Sequence, residues 1–380
     1  MKNTNIPYGK QFIDNEDIRI VKNSLRSSLI TTGPYVKNFE NKIKDIFKCK
    51  FALTCNNGTA GLHLAFQAVN LKKNDVIIMP IINFISAYRV ANLMGLKVYF
   101  ADVDKFTGQM TPLSLLNCIK KNKLKKVNAV LTMYLGGFPE NNLEFFNIKK
   151  KFKFYLIEDA CHAFGSQYNF NKKKYYIGSC KHADISVFSF HPVKTITTGE
   201  GGVVTTNNLG FAKKISEFRS HGIIRKNEYW KYDIKELGQN YRLSDINAAL
   251  GISQLKKIKK FINQRKKIYL FYKKKLKKYF KFPDYNFNNH SSYHLCIISI
   301  NFVKIKKNKD NLFKFLNKKR IYPQFHYIPI SKFSFYKKGS KTFKNSDNYY
   351  KNSISIPIYY NLKKYEQIHI IKNLLRFIKN

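Results

Sequence analysis

From residue 50 to residue 207, short apolar runs alternate with segments of helical spacing. "KFALTCNNG" (50–58) reads as a strand that ends in a polar turn. "TAGLHLAFQAV" (59–69) puts Leu62, Ala65, Phe66 and Val69 on one helical face. The alternation continues with "NDVIIMP" (74–80) as a strand, "FISAYRVANLMG" (84–95) as a helix closed by Gly95, and "KVYFADVD" (97–104) as a strand. "KVNAVLTMY" (126–134) and "FKFYLIEDA" (152–160) are two more strands, separated by a helix around "EFFNIKKK" (144–151). "ADISVFSF" (183–190) and "GGVVTTN" (201–207) close the series. Strands alternating with helices of about ten residues predict βαβ units and a mainly parallel sheet covered on both faces, an α/β fold. Ligands of such sheets sit at the carboxyl ends of the strands. That rule directs attention to residues 56–59, 159–162 and 189–194.

From about residue 250 the texture changes. "ALGISQLKKIKKFINQRKKIYLFYKKKLKKYF" (249–280) reads as one long amphipathic helical run whose charges form a solvated face. A strand in "YHLCIISINF", a helix in "KDNLFKFLNKKRI" ending before Pro323, "SISIPIYYNL" and a last helix over 363–379 make up a smaller α+β unit. The expected organisation is a large domain over 1–250, with the N-terminal segment contacting substrate, and a smaller α+β C-terminal domain over 251–380.

The chain has 380 residues and is 44% hydrophobic, enough for a large buried core. No run approaches the roughly 18 apolar residues of a membrane span. The N-terminus lacks the apolar stretch of a secretion signal. The six cysteines (49, 55, 118, 161, 180, 296) are scattered, with no C-x-x-C pair. This fits a reducing cytoplasm and supports neither a metal site nor a disulfide frame. The net charge of +46 invites a nucleic-acid partner. The basic residues, however, are 60 Lys against nine Arg, whereas phosphate and base recognition favours the planar fork of Arg. Abundant Lys, Asn, Ile, Phe and Tyr is what an AT-rich coding sequence produces. A lysine-coated enzyme with no nucleic-acid partner is therefore the expectation.

Three segments carry chemistry. In "NNGTAGLHLA" (56–65) a Gly-Thr turn feeds a helix, offering free N–H groups and a positive dipole end to a phosphate; an ordinary N-cap at Thr59 would use the same residues. In "FYLIEDACHAFGS" (154–166) a strand delivers Glu158 and Asp159 to opposite sides. Asp159 then needs a cationic partner, such as a protonated ring nitrogen, or else caps the next turn. In "FSFHPVKTITTGEGG" (188–202) Lys194 follows a strand end and precedes a glycine-rich reversal. A lysine held there in a partly desolvated site could condense with a carbonyl; one lysine among 60 could equally be a loop lysine. Phosphate cradle, carboxylate and lysine are together the parts of a pyridoxal-phosphate site.

These segments, with "LGQNYRLSDINAALGISQL" (237–255), resemble the DegT/DnrJ/EryC1/StrS family of sugar aminotransferases. The similarity extends from "IPYGKQFID" to "SISIPIYY". It implies the fold type I aminotransferase architecture, pyridoxal 5'-phosphate as cofactor, and a homodimer with shared active sites. Lys194 would be the catalytic amine that holds the cofactor and moves a proton. Asp159 would keep the ring nitrogen protonated. His162 would lie against the ring or its phenolic oxygen, and Phe84 on its face. Gly58, Thr59, Ala60 and Ser189 would hold the phosphate, with Asn240 reaching it from the neighbouring subunit. Tyr8, Ser28, Leu29, Ile30, Thr31, Phe325, His326 and Tyr327 match positions that contact the nucleotide sugar. His326 could equally be a satisfied structural histidine, and the role of His191 stays open.

Within the family, "SFHPVKTITTGEGG", "FRSHGI" and "QFHYIPI" look like the branch that serves pseudaminic acid synthesis. That branch passes the amino group of L-glutamate to the C4 ketone of a UDP-linked 4-keto-6-deoxy-N-acetylhexosamine. Rival readings are an aminotransferase for another UDP- or dTDP-linked keto-sugar, and a basic nucleic-acid- or glycan-binding protein on a vestigial enzyme fold. The related sugar dehydratases replace the lysine, commonly by His, so Lys194 favours transamination.

Overall fold

Seven five-residue strands, all but the edge strand at 97–101 buried along most of their length, form one sheet in the computed structural model, which describes residues 5–228, 230–286, 288–336 and 343–379. The strands are β1 (Phe51–Cys55), β2 (Val76–Pro80), β3 (Lys97–Ala101), β4 (Ala129–Met133), β5 (Tyr155–Asp159), β6 (Ile185–Ser189) and β7 (Gly202–Thr206). Their order is β1-β7-β6-β5-β4-β2-β3. All pairings are parallel except those of β7, which runs antiparallel to β1 and β6. The mainly parallel α/β sheet expected from the sequence is present.

Alternation along the strands divides the core. Leu53, Cys55, Ile77, Met79, Leu131, Ile157, Val187 and Val204 point to one face, under α3 (Gly58–Ala68), α4 (Ile85–Leu93) and α7 (Leu209–Phe218). On the other face Ala52, Phe188 and Val203 meet α2 (Pro34–Phe47) and α8 (Asp245–Lys256), while Ile78, Val130 and Leu156 meet α5 (Pro112–Lys121) and α6 (Asn142–Phe152). One-residue alternation is what lets a strand serve two helix layers at once.

The helical run read over 249–280 is two helices. α8 ends at Lys256 and α9 spans Ile258–Leu276. At the break Lys257 reaches the start of α1 (Asn15–Ser24), its Nζ pairing with Asp14 at 2.5 Å and Asp17 at 2.9 Å, while α9 turns away toward a second core. That core gathers Ile268, Tyr269, Tyr272 and Leu276 with a strand pair (Cys296–Ser299 and Ser353–Ile356), α10 (Lys309–Lys318) and α12 (Lys364–Lys379). Residue 250 lies within α8. Among the described residues, no helix is long and apolar enough to cross a membrane.

Candidate active site

The carboxyl ends of β1 and β6 are brought together across one glycine, and β5 lies beside β6. Gly202 on β7 stands opposite both Cys55 and Ser189. A Cβ added there would come within 2.8 Å of the Phe188 carbonyl oxygen and 2.9 Å of the Asn57 backbone. Only glycine admits that approach, and it brings the turn at 56–58 against the end of the strand that leads to Lys194.

The turn into α3 is an anion cradle narrower than the sequence suggests. Asn57, not Thr59, is the N-cap; its Oδ1 accepts the Ala60 N–H at 2.8 Å. The Ala60 N–H is thus taken up by that cap in this structure. The N–H groups of Gly58 and Thr59 precede the first intrahelical donors and face outward at the positive helix end. A Cβ on Gly58 would lie 3.0 Å from Ser189 Cβ and 3.3 Å from Cys161 Sγ. The cradle thus opens directly onto β6 and the turn after β5.

Lys194 sits in a stitched loop. Phe190 is buried between Phe39 and Phe164, with ring centroids 5.4 and 5.1 Å away. Its carbonyl accepts the Thr197 hydroxyl and the Thr198 N–H, and its N–H donates to Gly201. Within the loop the Lys194 N–H donates to the His191 carbonyl at 2.9 Å. His191 is exposed and contributes its backbone to this turn, with its own N–H donating to Ser189 Oγ at 3.4 Å. Burial pushes the Lys194 amine below the ordinary lysine value, against the opposing pull of Cys161 and Asp159. Among the described residues no carboxylate lies within ion-pair distance of Nζ. A neutral amine is the nucleophilic form. The rate at which the apoprotein takes up a carbonyl compound should therefore rise with pH along a limb whose midpoint lies below 10.5. A midpoint at the ordinary lysine value in stopped-flow absorbance would contradict this.

The two carboxylates of β5 part as alternation requires. Glu158 accepts the Tyr134 hydroxyl at 2.5 Å and also the Ser186 hydroxyl, a closed structural network away from Lys194. Asp159, 2% exposed, accepts from Cys161, whose N–H lies at 3.2 Å and whose thiol also faces it. Burial raises its pKa, with Cys161 and Lys194 opposing. A buried carboxylate whose donors are the neutral groups of Cys161, with no cation within ion-pair distance among the described residues, lacks the partner that burial normally demands. A protonated ring nitrogen supplies that partner, so the residues present fit pyridoxal phosphate: a cationic partner for Asp159, an anion for the cradle, a carbonyl for Lys194.

His162 is buried, its Nδ1 3.3 Å from the Gly136 nitrogen and its Nε2 2.9 Å from the Tyr327 hydroxyl. Tyr327 in turn lies 5.7 Å from Phe84, which caps α4 half exposed. His326 packs 5.1 Å from Tyr8, and its Nδ1 is 2.9 Å from Ser355 Oγ. Burial first, then the charge of Lys194, depresses its pKa to about 3. These residues converge. Phe325 does not: its ring stacks edge-on with Phe313 and Tyr350, under Lys309. Residues 28–31 lie exposed beside the start of α8, tied by the Asp245 N–H to the Ile30 carbonyl and by the Thr31–Ser244 bridge. Asn240 is exposed, its carbonyl 3.5 Å from Asn56 Nδ2.

The sequence reading missed His294 and Arg265. The His294 ring lies tilted 4.3 Å from His162, and its buried Nδ1 has no hydrogen-bond partner among the described residues. Arg265 is buried and donates to the His294 and Ile358 carbonyls. A single His in an apolar strand, or an Arg on a basic helix, carries no signal of its own.

The model of the DegT/DnrJ/EryC1/StrS aminotransferase family matches residues 11–375. The UDP-4-amino-4,6-dideoxy-N-acetyl-beta-L-altrosamine transaminase of Campylobacter jejuni serotype O:23/36 is 40% identical over 93% of this chain and 92% of its own length. GDP-perosamine synthase of Escherichia coli O157:H7 is 33% identical over 71% of each chain. The solved structure of Helicobacter pylori PseC, an aminotransferase involved in the biosynthesis of pseudoaminic acid, has a TM-score of 0.89 at 28% identity, covering 99% of this chain and all of that one.

Proposed function

The chain belongs to the DegT/DnrJ/EryC1/StrS aminotransferase family, and on that premise we propose that it transfers the amino group of L-glutamate to the C4 ketone of a UDP-linked 4-keto-6-deoxy-N-acetylhexosamine. The product is UDP-4-amino-4,6-dideoxy-N-acetyl-β-L-altrosamine, for pseudaminic acid and surface glycans. The reading is carried by one observation: Lys194, Asp159 and the Gly58–Thr59 cradle converge where Gly202 closes the gap between strands. The substrate assignment is supported by the 40% identical transaminase.

When bound, pyridoxal phosphate supplies an electron-withdrawing ring conjugated to the carbon that carries the amino group. The chain's residues do the rest. Asp159 holds a proton on the ring nitrogen, its buried charge favouring the cationic form. Gly58, Thr59 and Ser189 hold the phosphate. Lys194 takes a proton from the substrate carbon and returns one, a task suited to an amine whose pKa burial has lowered below the ordinary lysine value. The basic surface draws the sugar diphosphate inward. We place the enzyme in the cytoplasm as a homodimer, with Asn240 and residues 28–31 facing the partner's site.

The test is a panel of nucleotide keto-sugars with L-glutamate, followed by 2-oxoglutarate release. Turnover is expected with the UDP-linked 4-keto-hexosamine and should fall at least about tenfold with GDP- or dTDP-linked ketones. No turnover with any UDP-4-keto-hexosamine refutes the substrate assignment.

A further inference from the structure

The hydrogen-bond network fixes where the hydroxyl proton of Tyr327 points. The Gly136 N–H donates to His162 Nδ1. A backbone N–H is always a donor, so Nδ1 is an acceptor and bears no proton. Burial, and after it the charges of Lys194, His294 and His326, hold the imidazole pKa well below 6.5, so the ring is neutral. Its one proton is therefore on Nε2, 2.9 Å from Tyr327 Oη, and Nε2–H is the donor. The Tyr327 O–H then points away from His162. Among the described residues it has no other hydrogen-bond partner. Burial first, then Asp159 and Tyr8, raise the phenol pKa, so the proton stays on. The ring is partly buried against the core, so the hydroxyl, with no protein acceptor among the described residues, is placed to donate to a bound molecule.

We propose that Tyr327 donates this hydrogen bond to an oxygen of the molecule bound at Lys194, with His162 and Gly136 as its positioning groups. The inference rests on the aminotransferase reading above and names a role within that site. The acceptor is an anionic or carbonyl oxygen, and two sources fit: the ring oxygen of pyridoxal phosphate and the C4 keto oxygen of the sugar.

Tyr327→Phe removes the hydroxyl and little else. If the acceptor is the ring oxygen, the pH midpoint of the visible absorption band, read without substrate, should move up by about one unit, because the oxygen's charge loses a donor. If it is the keto oxygen, that midpoint stays and kcat for the sugar falls about tenfold, with KM held within about twofold. A variant with neither change overturns the inference. Nitrogen-15 NMR of the histidine-labelled wild type tests the geometry without relying on that variant. The His162 signal, assigned by its loss in His162→Gln, should be the Nε2–H tautomer; the Nδ1–H tautomer overturns the inference. Wild-type protein with no visible band overturns the aminotransferase reading itself, while a normal band with a silent Tyr327→Phe overturns this inference alone.

Discussion

Lys194→Ala is expected to yield a folded, colourless protein whose transamination rate is lower by about a thousandfold or more. The stitching of its loop does not depend on the side chain: the bonds run from Phe190 to Thr197, Thr198 and Gly201, and through the Lys194 backbone N–H. Truncation removes a half-buried amine that already stands below its ordinary pKa. The thermal midpoint of the apoprotein should therefore hold or rise slightly while absorbance and activity disappear. Pyridoxal phosphate soaked into the variant could still occupy the Gly58–Thr59 cradle without becoming covalently attached. A Lys194→Ala protein that retains its colour and full turnover would place the reactive amine elsewhere among the 60 lysines.

Asp159→Asn is expected to separate stability from function. The carboxylate is buried against the neutral groups of Cys161, with no cation in ion-pair reach among the described residues. Its raised pKa means the folded apoprotein holds the Asp159 proton to higher pH than the unfolded chain does. The group therefore costs nothing at pH values below the ordinary Asp range near 3.8. The cost grows as pH rises through that range and is complete above the folded pKa. Asparagine keeps the shape and loses the charge. At neutral pH the apoprotein should gain about 1–3 kcal/mol in urea unfolding, a gain that fades in acid. Activity should fall by about a hundredfold or more, since an amide cannot hold the proton on a ring nitrogen. An apoprotein destabilised at pH 7 by the substitution would show that Asp159 has a partner we have not identified.

What the sequence revealed, and what it hid, follows from the range of the forces involved. The seven strands were legible because each is short, apolar and two-faced, from "FALTC" to "GVVTT". The site's place followed from the parallel order, since strand ends are where side chains leave the sheet. Lys194 and Asp159 were readable for that reason. The Asn57 cap, the break at Lys257 and the outward turn of Phe325 were not. Each involves a partner distant in sequence or local competition for one donor: Lys257 meets Asp14 and Asp17, Phe325 meets Phe313 and Lys309, and Asn57 takes the Ala60 N–H. The helices α1 and α2 were hidden too, because their apolar faces are completed by α8, some 200 residues later. His294 and Arg265 belong to the same class: their significance lies in what they touch.

The claim on which the account stands is that one lysine of 60 is the reactive amine. Reduction of the pyridoxal-phosphate-loaded protein with borohydride, followed by digestion and peptide mass mapping, tests it directly. A single stoichiometric pyridoxyl adduct is expected on Lys194, in the peptide containing "FSFHPVKTITTGEGG". Label scattered over surface lysines, or a stoichiometric adduct at any residue other than Lys194, would contradict it.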